Sequence, residues 1–316
     1  MYRGNKKLIF FLLLLALSAN DLLSQTNNKP LFKFGIMADV QYSDRENHGT
    51  RFYRSSLSKL EEAVGVFNKK KPDFIVSLGD FINNDYKSFD TLNKITGKLK
   101  MPLYHVVGNH DFEVADDEKG KVLNALKLKN DYYSFVEKNW RFVVLNGDDI
   151  SLIANTPQSA KYKQAKEIFD KLKAEGAPGA KPWNGTLSKE QLDWMKKELA
   201  DAVKKKQQVI ILCHFPLYPD ASPQTLWSSP EIRKIVEGCP NVKAYLNGHV
   251  HVSQYFFKSK VHYVSFKGMV EKDENAYAIV SVYKDHLEIK GYGKEVDRIL
   301  EREGLRFECS ISMYLN

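Results

Sequence analysis

Cysteine is scarce. The 316 residues hold three, Cys213, Cys239 and Cys309, too few for a disulfide-built scaffold even in an exported protein. Cys213 lies inside the apolar run VIILCH and reads as a small buried residue rather than a reactive thiol. Beyond Leu17 no run is apolar enough to cross a bilayer. No basic run is interleaved with aromatic residues, which argues against nucleic acid as a partner. Internal repeats and low-complexity stretches are missing too. What remains is an ordinary globular composition, 43% hydrophobic and 27% charged, long enough for a sizeable core.

The one long apolar run, Leu8 to Leu17, follows Arg3, Lys6 and Lys7 and precedes small and polar residues. That is the layout of a secretory signal peptide. Residues 1–25 are therefore expected to be removed, leaving a secreted or periplasmic protein, residues 26–316, with no membrane attachment. Removal takes away three positive charges and one negative, so the formal net charge falls from +8 to +6. The remaining lysines, in stretches such as KKKP and VKKKQQ, read as solvated faces that mildly favour an anionic substrate. A sequon at Asn184 matters only in a eukaryotic source.

Apolar runs and helical patterns alternate. LFKFGIMAD predicts a strand ending at Asp39, and residues 51–70 an amphipathic helix with Leu57, Leu60, Val64 and Phe67 on one stripe. DFIVSLGD is a buried strand that stops at Gly79-Asp80. A helix over 88–100 and a strand into GNHD follow, then a hairpin turning at Lys138-Asn139. Residues 148–183 break the rhythm and read as a cap-like insertion in a single domain. Ser188 and Gln191 form a capping-box pattern. QVIILCH and VKAYLNGH are further strands, and Gln254 to Tyr292 is expected to form an antiparallel sheet. Such an order suggests two packed sheets with helices outside.

Five of these runs end in ligand-type residues: ADVQ (Asp39, Gln41), GD (Asp80), GNHD (Asn109, His110, Asp111), CHFP (His214) and GHVH (His249, His251). Each has a bland explanation, since a strand-terminal Asp is often a cap and a lone His is often an interior residue. GHVH is the stronger signal, because residues two apart on a strand face one side. Taken together the five point to one edge where ligands gather. Carboxylate, amide oxygen and imidazole suit Mn²⁺, Fe²⁺ or Zn²⁺. Seven donors exceed what one ion takes and suit two ions sharing a carboxylate, as in hydrolytic dinuclear sites.

This series, Asp-x-(His/Gln), Gly-Asp, Gly-Asn-His-(Asp/Glu), a later His and Gly-His-x-His, resembles the calcineurin-like metallophosphoesterases. Glutamine in the first motif is similar to the manganese-dependent ADP-ribose/CDP-alcohol diphosphatases. So are the stretches GTRFYRSSL, NTPQSAKY, NGTLSKEQLDWM, HFPLYP and KGYGKEVDRIL. The resemblance covers residues 32–300 and implies a four-layer α/β/β/α sandwich of two mixed sheets flanked by helices. It implies two divalent ions, Mn²⁺ foremost with Fe²⁺ or Zn²⁺ as alternatives. Asp39, Gln41 and His251 would hold the first, Asn109, His214 and His249 the second, with Asp80 bridging. A hydroxide between them would attack phosphorus while His110 protonates or stabilises the leaving oxygen.

The implied reaction is cleavage of the pyrophosphate bond of ADP-ribose or a CDP-alcohol, giving a nucleoside monophosphate and a phosphorylated partner. A phosphodiesterase or phosphomonoesterase of the same superfamily, or a non-catalytic metal-binding module, are the alternatives. Wider relatives supply an Asp three residues after the Gly-Asp carboxylate to orient the motif histidine. Here that position is Asn83, leaving Asp85 or Asp111 for His110. Arg51 and Arg54 could clamp a diphosphate. Tyr42, Phe112 and Trp227 are available to stack on a base or to pack in the core.

Overall fold

The computed structural model describes residues 29–301 and 304–306. The expected signal peptide and Cys309 lie outside the described residues.

The strands are β1 (Phe32–Met37), β2 (Phe74–Ser77), β3 (Leu103–His105), β4 (Tyr133–Glu137), β5 (Trp140–Val144), β6 (Ile150–Ser151), β7 (Gly185–Thr186), β8 (Gln208–Leu212), β9 (Val242–Asn247), β10 (Gln254–Lys258), β11 (Val261–Ser265), β12 (Ala276–Val282), β13 (His286–Gly293), β14 (Arg298–Glu301) and β15 (Gly304–Arg306). Seven form one sheet, in the order β15-β14-β13-β12-β1-β2-β3, and six form another, β10-β11-β9-β8-β5-β4. Parallel pairing sets Met37 beside Ser77 and Ser77 beside His105 in the first sheet, so β1, β2 and β3 end level. In the second, Val144 pairs with Leu212 and Leu212 with Leu246, so β5, β8 and β9 also end level.

The two sheets face each other across a core built from alternate residues. Phe32, Phe34 and Ile36 of β1 meet Trp140, Phe142 and Val144 of β5 and Ile210 and Leu212 of β8. Aromatic rings stitch the layers: Phe34 stacks on Phe74 at 5.3 Å between centroids, and Phe74 meets the Phe142 ring edge-on at 5.1 Å. The outer face of the larger sheet carries Leu60, Val64 and Phe67 of the helix Ser56–Lys70. The outer face of the smaller sheet carries Leu192, Met195 and Leu199 of the helix Lys189–Lys204 and Ile232 of the helix Ser229–Gly238. This is the four-layer α/β/β/α sandwich, with mixed sheets inside.

Several local expectations need correction. The first helix starts at Ser56, not at Arg51, because residues 48–52 are drawn into bridges. Arg51 pairs with His48 and with Glu271, and Phe52 N donates to Val270 O at 2.9 Å. The tail does not make one antiparallel sheet. Strands β10 and β11 extend the smaller sheet, with β11 parallel to β9, whereas β12 and β13 extend the larger sheet beside β1. Strand β1 is thereby central, its backbone paired with β2 on one edge and β12 on the other.

The capping box at Ser188 is half formed. Ser188 Oγ accepts from Gln191 N at 3.1 Å, but Ser188 N donates to Asp149 Oδ2, and the Gln191 amide is spent on Asn146 and Asp149. In residues 148–183, β6 pairs with β7, which lies just beyond them, and the helix Ala160–Ala174 packs its Ala165 beside Ile150 and Trp227.

Candidate metal centre

All five ligand-bearing segments come together, though not at one sheet edge. Asp39, Asp80 and Asn109 follow β1, β2 and β3, while His214, His249 and His251 follow β8 and β9. The level carboxyl ends of two facing sheets meet there. The i, i+2 pairs do not point together through strand pleating, since β1 ends at Met37 and β9 at Asn247. They do so because both members of each pair adopt left-handed backbone: φ is 51° at Asp39, 42° at Gln41, 69° at His249 and 57° at His251, with Asp80 also at 51°. Such conformations cost non-glycine residues about 1–3 kcal/mol each and concentrate at functional sites.

Neighbouring loops close tightly on these turns. Asp39 N donates to Gly79 O at 3.2 Å and Gln41 N to Asp80 O at 2.9 Å. At Gly79, φ is 92° and an added Cβ would lie 2.6 Å from His214 Nδ1; at Gly108 it would collide with Asp80 Oδ1. Both positions need glycine for close approach.

Asp80 is the common member of two donor groups. One unites it with His214 and His249 and the other with Asp39 and His251, with ligand atoms within 4.8 Å of one another in each. Asp80 Oδ2 is 3.1 Å from His214 Nε2, and Asp39 Oδ1 is 3.3 Å from His251 Nε2. The second nitrogen of each imidazole is held from outside: His214 Nδ1 by Leu78 O at 2.8 Å, His249 Nε2 by Asn184 Oδ1 at 3.2 Å, His251 Nδ1 by Glu271 Oε1 at 2.6 Å. Outer acceptors of this kind fix the ring and turn the free nitrogen toward a metal.

The amides complete the fit. Gln41 Oε1 and Asn109 Oδ1 are buried and have no hydrogen-bond partner, a costly state for a carbonyl oxygen unless a cation completes it. Gln41 Nε2 donates to Asp80 Oδ2 at 2.9 Å and lies 3.1 Å from His251 Nε2. The terminal amide can present either atom there, and its orphaned oxygen is the one a cation attracts. A carboxylate, an amide oxygen and imidazoles around each of two points suit two divalent ions.

Burial by itself would raise the Asp80 carboxyl, but His214 and His110 outweigh it and hold Asp80 well below the usual carboxylate range. In return, burial is overcome at His214, which Asp80 pushes up to about 10, and at His251, which Asp39 pushes up to about 9. His249 goes the other way, kept neutral by burial and the His214 charge.

His110 belongs to the same cluster without offering a ligand atom to either group. Its backbone N donates to Asp80 Oδ1 at 2.8 Å, and its Nε2 sits 4.0 Å from Asp80 Oδ2 and 3.5 Å from Arg51 Nη1. The expected orienting carboxylates are engaged elsewhere. Asp111 accepts from Phe81 N, Ile82 N and Gly108 N, and burial pushes it up to about 7. Asp85 accepts from Lys87 N and Ser88 Oγ. Glu113 is the carboxylate at the ring, with Oε2 2.9 Å from Nδ1.

Of the candidate substrate contacts, Arg51 is brought to the centre. Arg54 is not: it is exposed and ion-paired with Asp44, at 2.7 Å, and with Glu46. Trp227 packs in the cluster of Ile150 and Ala165, 5.9 Å from the Phe169 ring, with Nε1 donating to Lys181 O. Tyr42 and Phe112 are buried in the layer beneath the Ser56–Lys70 helix. Core packing claims all three rings.

Asn184, Glu271 and Glu113 are the residues that sequence reasoning missed. Asn184 was visible only as a sequon, yet it is fully buried. Its Nδ2 donates to Gly179 O and Pro223 O, so no glycan can attach to the folded chain there. Glu271 shows only as one of several acids in an irregular loop. Glu113 has a readable signal, His-x-x-Glu within one turn.

The chain belongs to the calcineurin-like phosphoesterase family, whose model matches residues 32–253. It is 30% identical to the manganese-dependent ADP-ribose/CDP-alcohol diphosphatase of Xenopus laevis, over 88% of this chain and 92% of that one. Identity to the human enzyme of the same name is also 30%, over 90% of this chain and 96% of that one. A dimetal phosphatase from Danio rerio shares the fold, with a TM-score of 0.79 at 24% identity, over 87% of this chain and 100% of that one.

Without metal, His214 and His251 ionise near 10 and 9, so both rings are cationic at pH 7. Coordination requires them neutral. Adding Mn²⁺ to metal-stripped protein at pH 7 is therefore expected to release about two protons per pair of ions, and binding should weaken steeply as the pH falls. Calorimetry in two buffers of different ionisation enthalpy reads the number. A value near zero would mean that the rings are already neutral and the carboxylate charge is met in another way.

Proposed function

We propose that this chain hydrolyses the pyrophosphate bond of ADP-ribose and of CDP-alcohols such as CDP-choline, releasing AMP or CMP and a phosphorylated partner. The observation that carries the reading is Asp80, one carboxylate shared by two donor groups, with His110 beside it and Arg51 against His110. The names of relatives alike over most of their length support the choice of substrate.

Asp39, Gln41, Asp80 and His251 would hold one ion, and Asp80, Asn109, His214 and His249 the other. Manganese agrees with the oxygen-rich donor set and with the relatives' names. Bound there, two divalent ions would supply an activated water and, against only two ligand carboxylates, surplus positive charge for a diphosphate. Arg51 would receive a phosphate oxygen through its guanidinium. His110 Nε2, facing the same space, would hydrogen-bond or protonate the leaving oxygen. Asn184 and Glu271 would keep the inner imidazole nitrogens aimed inward. We further propose that the chain is exported, on the strength of the N-terminal layout of basic, apolar and polar residues.

Residues 26–316, stripped and reloaded with Mn²⁺, are expected to release AMP from ADP-ribose and CMP from CDP-choline, followed by chromatography. Asp80→Asn should lower release by at least on the order of 100-fold. Release from neither nucleotide, with an aryl phosphodiester still cleaved, would sink the diphosphatase reading and leave a phosphodiesterase.

The two arginines separate cleanly. Arg51→Ala is expected to lower kcat/KM by roughly 10- to 100-fold, the worth of a charge-assisted contact. Arg54→Ala should stay within about twofold, as exposed ion pairs contribute little. Equal effects from both would argue against Arg51 as a phosphate contact. For export, expression of the full chain in a Gram-negative host followed by fractionation should place a shortened protein in the periplasm. An unprocessed cytoplasmic chain counts against the signal-peptide reading.

A further inference from the structure

We infer that Glu113 is the positioning residue of His110, in place of the carboxylate that position 83 does not provide. Residue 83 is Asn, whose neutral amide cannot balance an imidazolium, and Asp85 and Asp111 are tied to backbone amides and a serine hydroxyl. The 3₁₀ turn Asn109–Phe112 ends at Glu113, whose N–H donates to His110 O at 3.3 Å. That turn folds the Glu113 side chain back over the ring it follows by three residues, with Oε2 at 2.9 Å from Nδ1.

The ring is thereby fixed from both ends. His110 N is anchored on Asp80 Oδ1 at 2.8 Å, Glu113 Oε2 stands 2.9 Å from Nδ1 in an ion-pair contact short of hydrogen-bond alignment, and Nε2 is left facing Asp80 and Arg51. A carboxylate beside Nδ1 favours the imidazolium, in which Nδ1 keeps its proton and the Nε2–H is the one that meets the leaving oxygen. A histidine free to turn would present either nitrogen, in several rotamers, and only one arrangement would serve. Glu113 itself does not reach the substrate. It acts through His110.

The inference rests on the proposed hydrolysis for its kinetic test but not for its spectroscopic one. Glu113 is 29% exposed by its side chain, so replacement should not disturb folding; metal content and the thermal midpoint verify that. Glu113→Gln is expected to lower kcat on ADP-ribose by on the order of 10- to 100-fold with KM unchanged, and Glu113→Asp to retain part of the rate. In a His110→Ala background, Glu113→Gln should add nothing, because the two act as one unit. Independent, multiplying losses, or a change confined to KM, would overturn the assignment. If an aryl phosphodiester proves to be the substrate instead, the diphosphatase reading fails and the same double-mutant cycle on that ester still decides. Nitrogen-15 spectra of the zinc-loaded protein, with His110→Ala assigning the ring, need no turnover at all. Wild type should show Nδ1 protonated, and Glu113→Gln a mixture of tautomers. Identical ring signals in the two proteins would refute a positioning role.

Discussion

A fully buried carboxylate, Asp80, is the charge around which the rest is arranged. A carboxylate removed from water with no counter-charge is among the most costly states a folded chain can hold. Here it is met by His214 and His110, by the His110 backbone N–H and by the Gln41 amide. None of these partners is local in sequence. Each arrives on a different strand end, and level ends in both sheets are what bring them into reach. The inter-sheet aromatic core keeps those ends in register, so packing far from the centre and charge balance within it are one constraint.

The same crowding explains the strained backbone. Five of the seven donor residues lie in left-handed conformation, at an unfavourable few kcal/mol in total even at the low end of about 1 kcal/mol each. Hydrogen bonds between neighbouring loops hold them there: Asp39 to Gly79, Gln41 to Asp80, His249 N to Asp39 Oδ1 at 3.1 Å, and Val270 N to Asp39 O at 2.9 Å. Asp39 thus offers an oxygen to one donor group and also fastens the turn that carries the histidines. Lys59, buried with its ammonium on Met269 O and Lys272 O, secures the loop that brings Glu271 to His251. Burial lowers that lysine to about 8, yet its two carbonyl acceptors are well suited to an ammonium.

The sandwich and the clustering of these polar side chains could be read from sequence because each of them ends an apolar run, and the runs are the buried strands. What could not be read depends on events beyond the strands. Asn184 and Glu271 lie in irregular segments, and their meaning comes only from the loops they are folded against. Arg51 and Arg54, three apart at a helix start, look interchangeable in the sequence. The bridge from Arg51 to Glu271 turns one toward the centre, while Asp44 and Glu46 keep the other at the surface. Trp227 has the chemistry of a stacking platform, but the small cluster around Ile150 and Ala165 needs it as core. The split of the tail between two sheets was hidden for a related reason. Alternation marks a strand but does not name its neighbour.

Glutamine at position 41 now has a physical explanation. An imidazole there would offer one nitrogen to a cation and turn the other away. The amide has an oxygen and an N–H on one carbon, so it can serve a cation and hydrogen-bond the shared carboxylate from one side chain. Its nitrogen rests on Asp80 Oδ2, supplying partial positive charge beside the shared carboxylate. A neutral carbonyl oxygen is also a harder donor than imidazole, which shifts preference toward manganese and magnesium and away from zinc. The first donor group then holds Asp39, Asp80, an amide oxygen and one imidazole, against one carboxylate, an amide oxygen and two imidazoles in the second. The two positions are therefore chemically unequal.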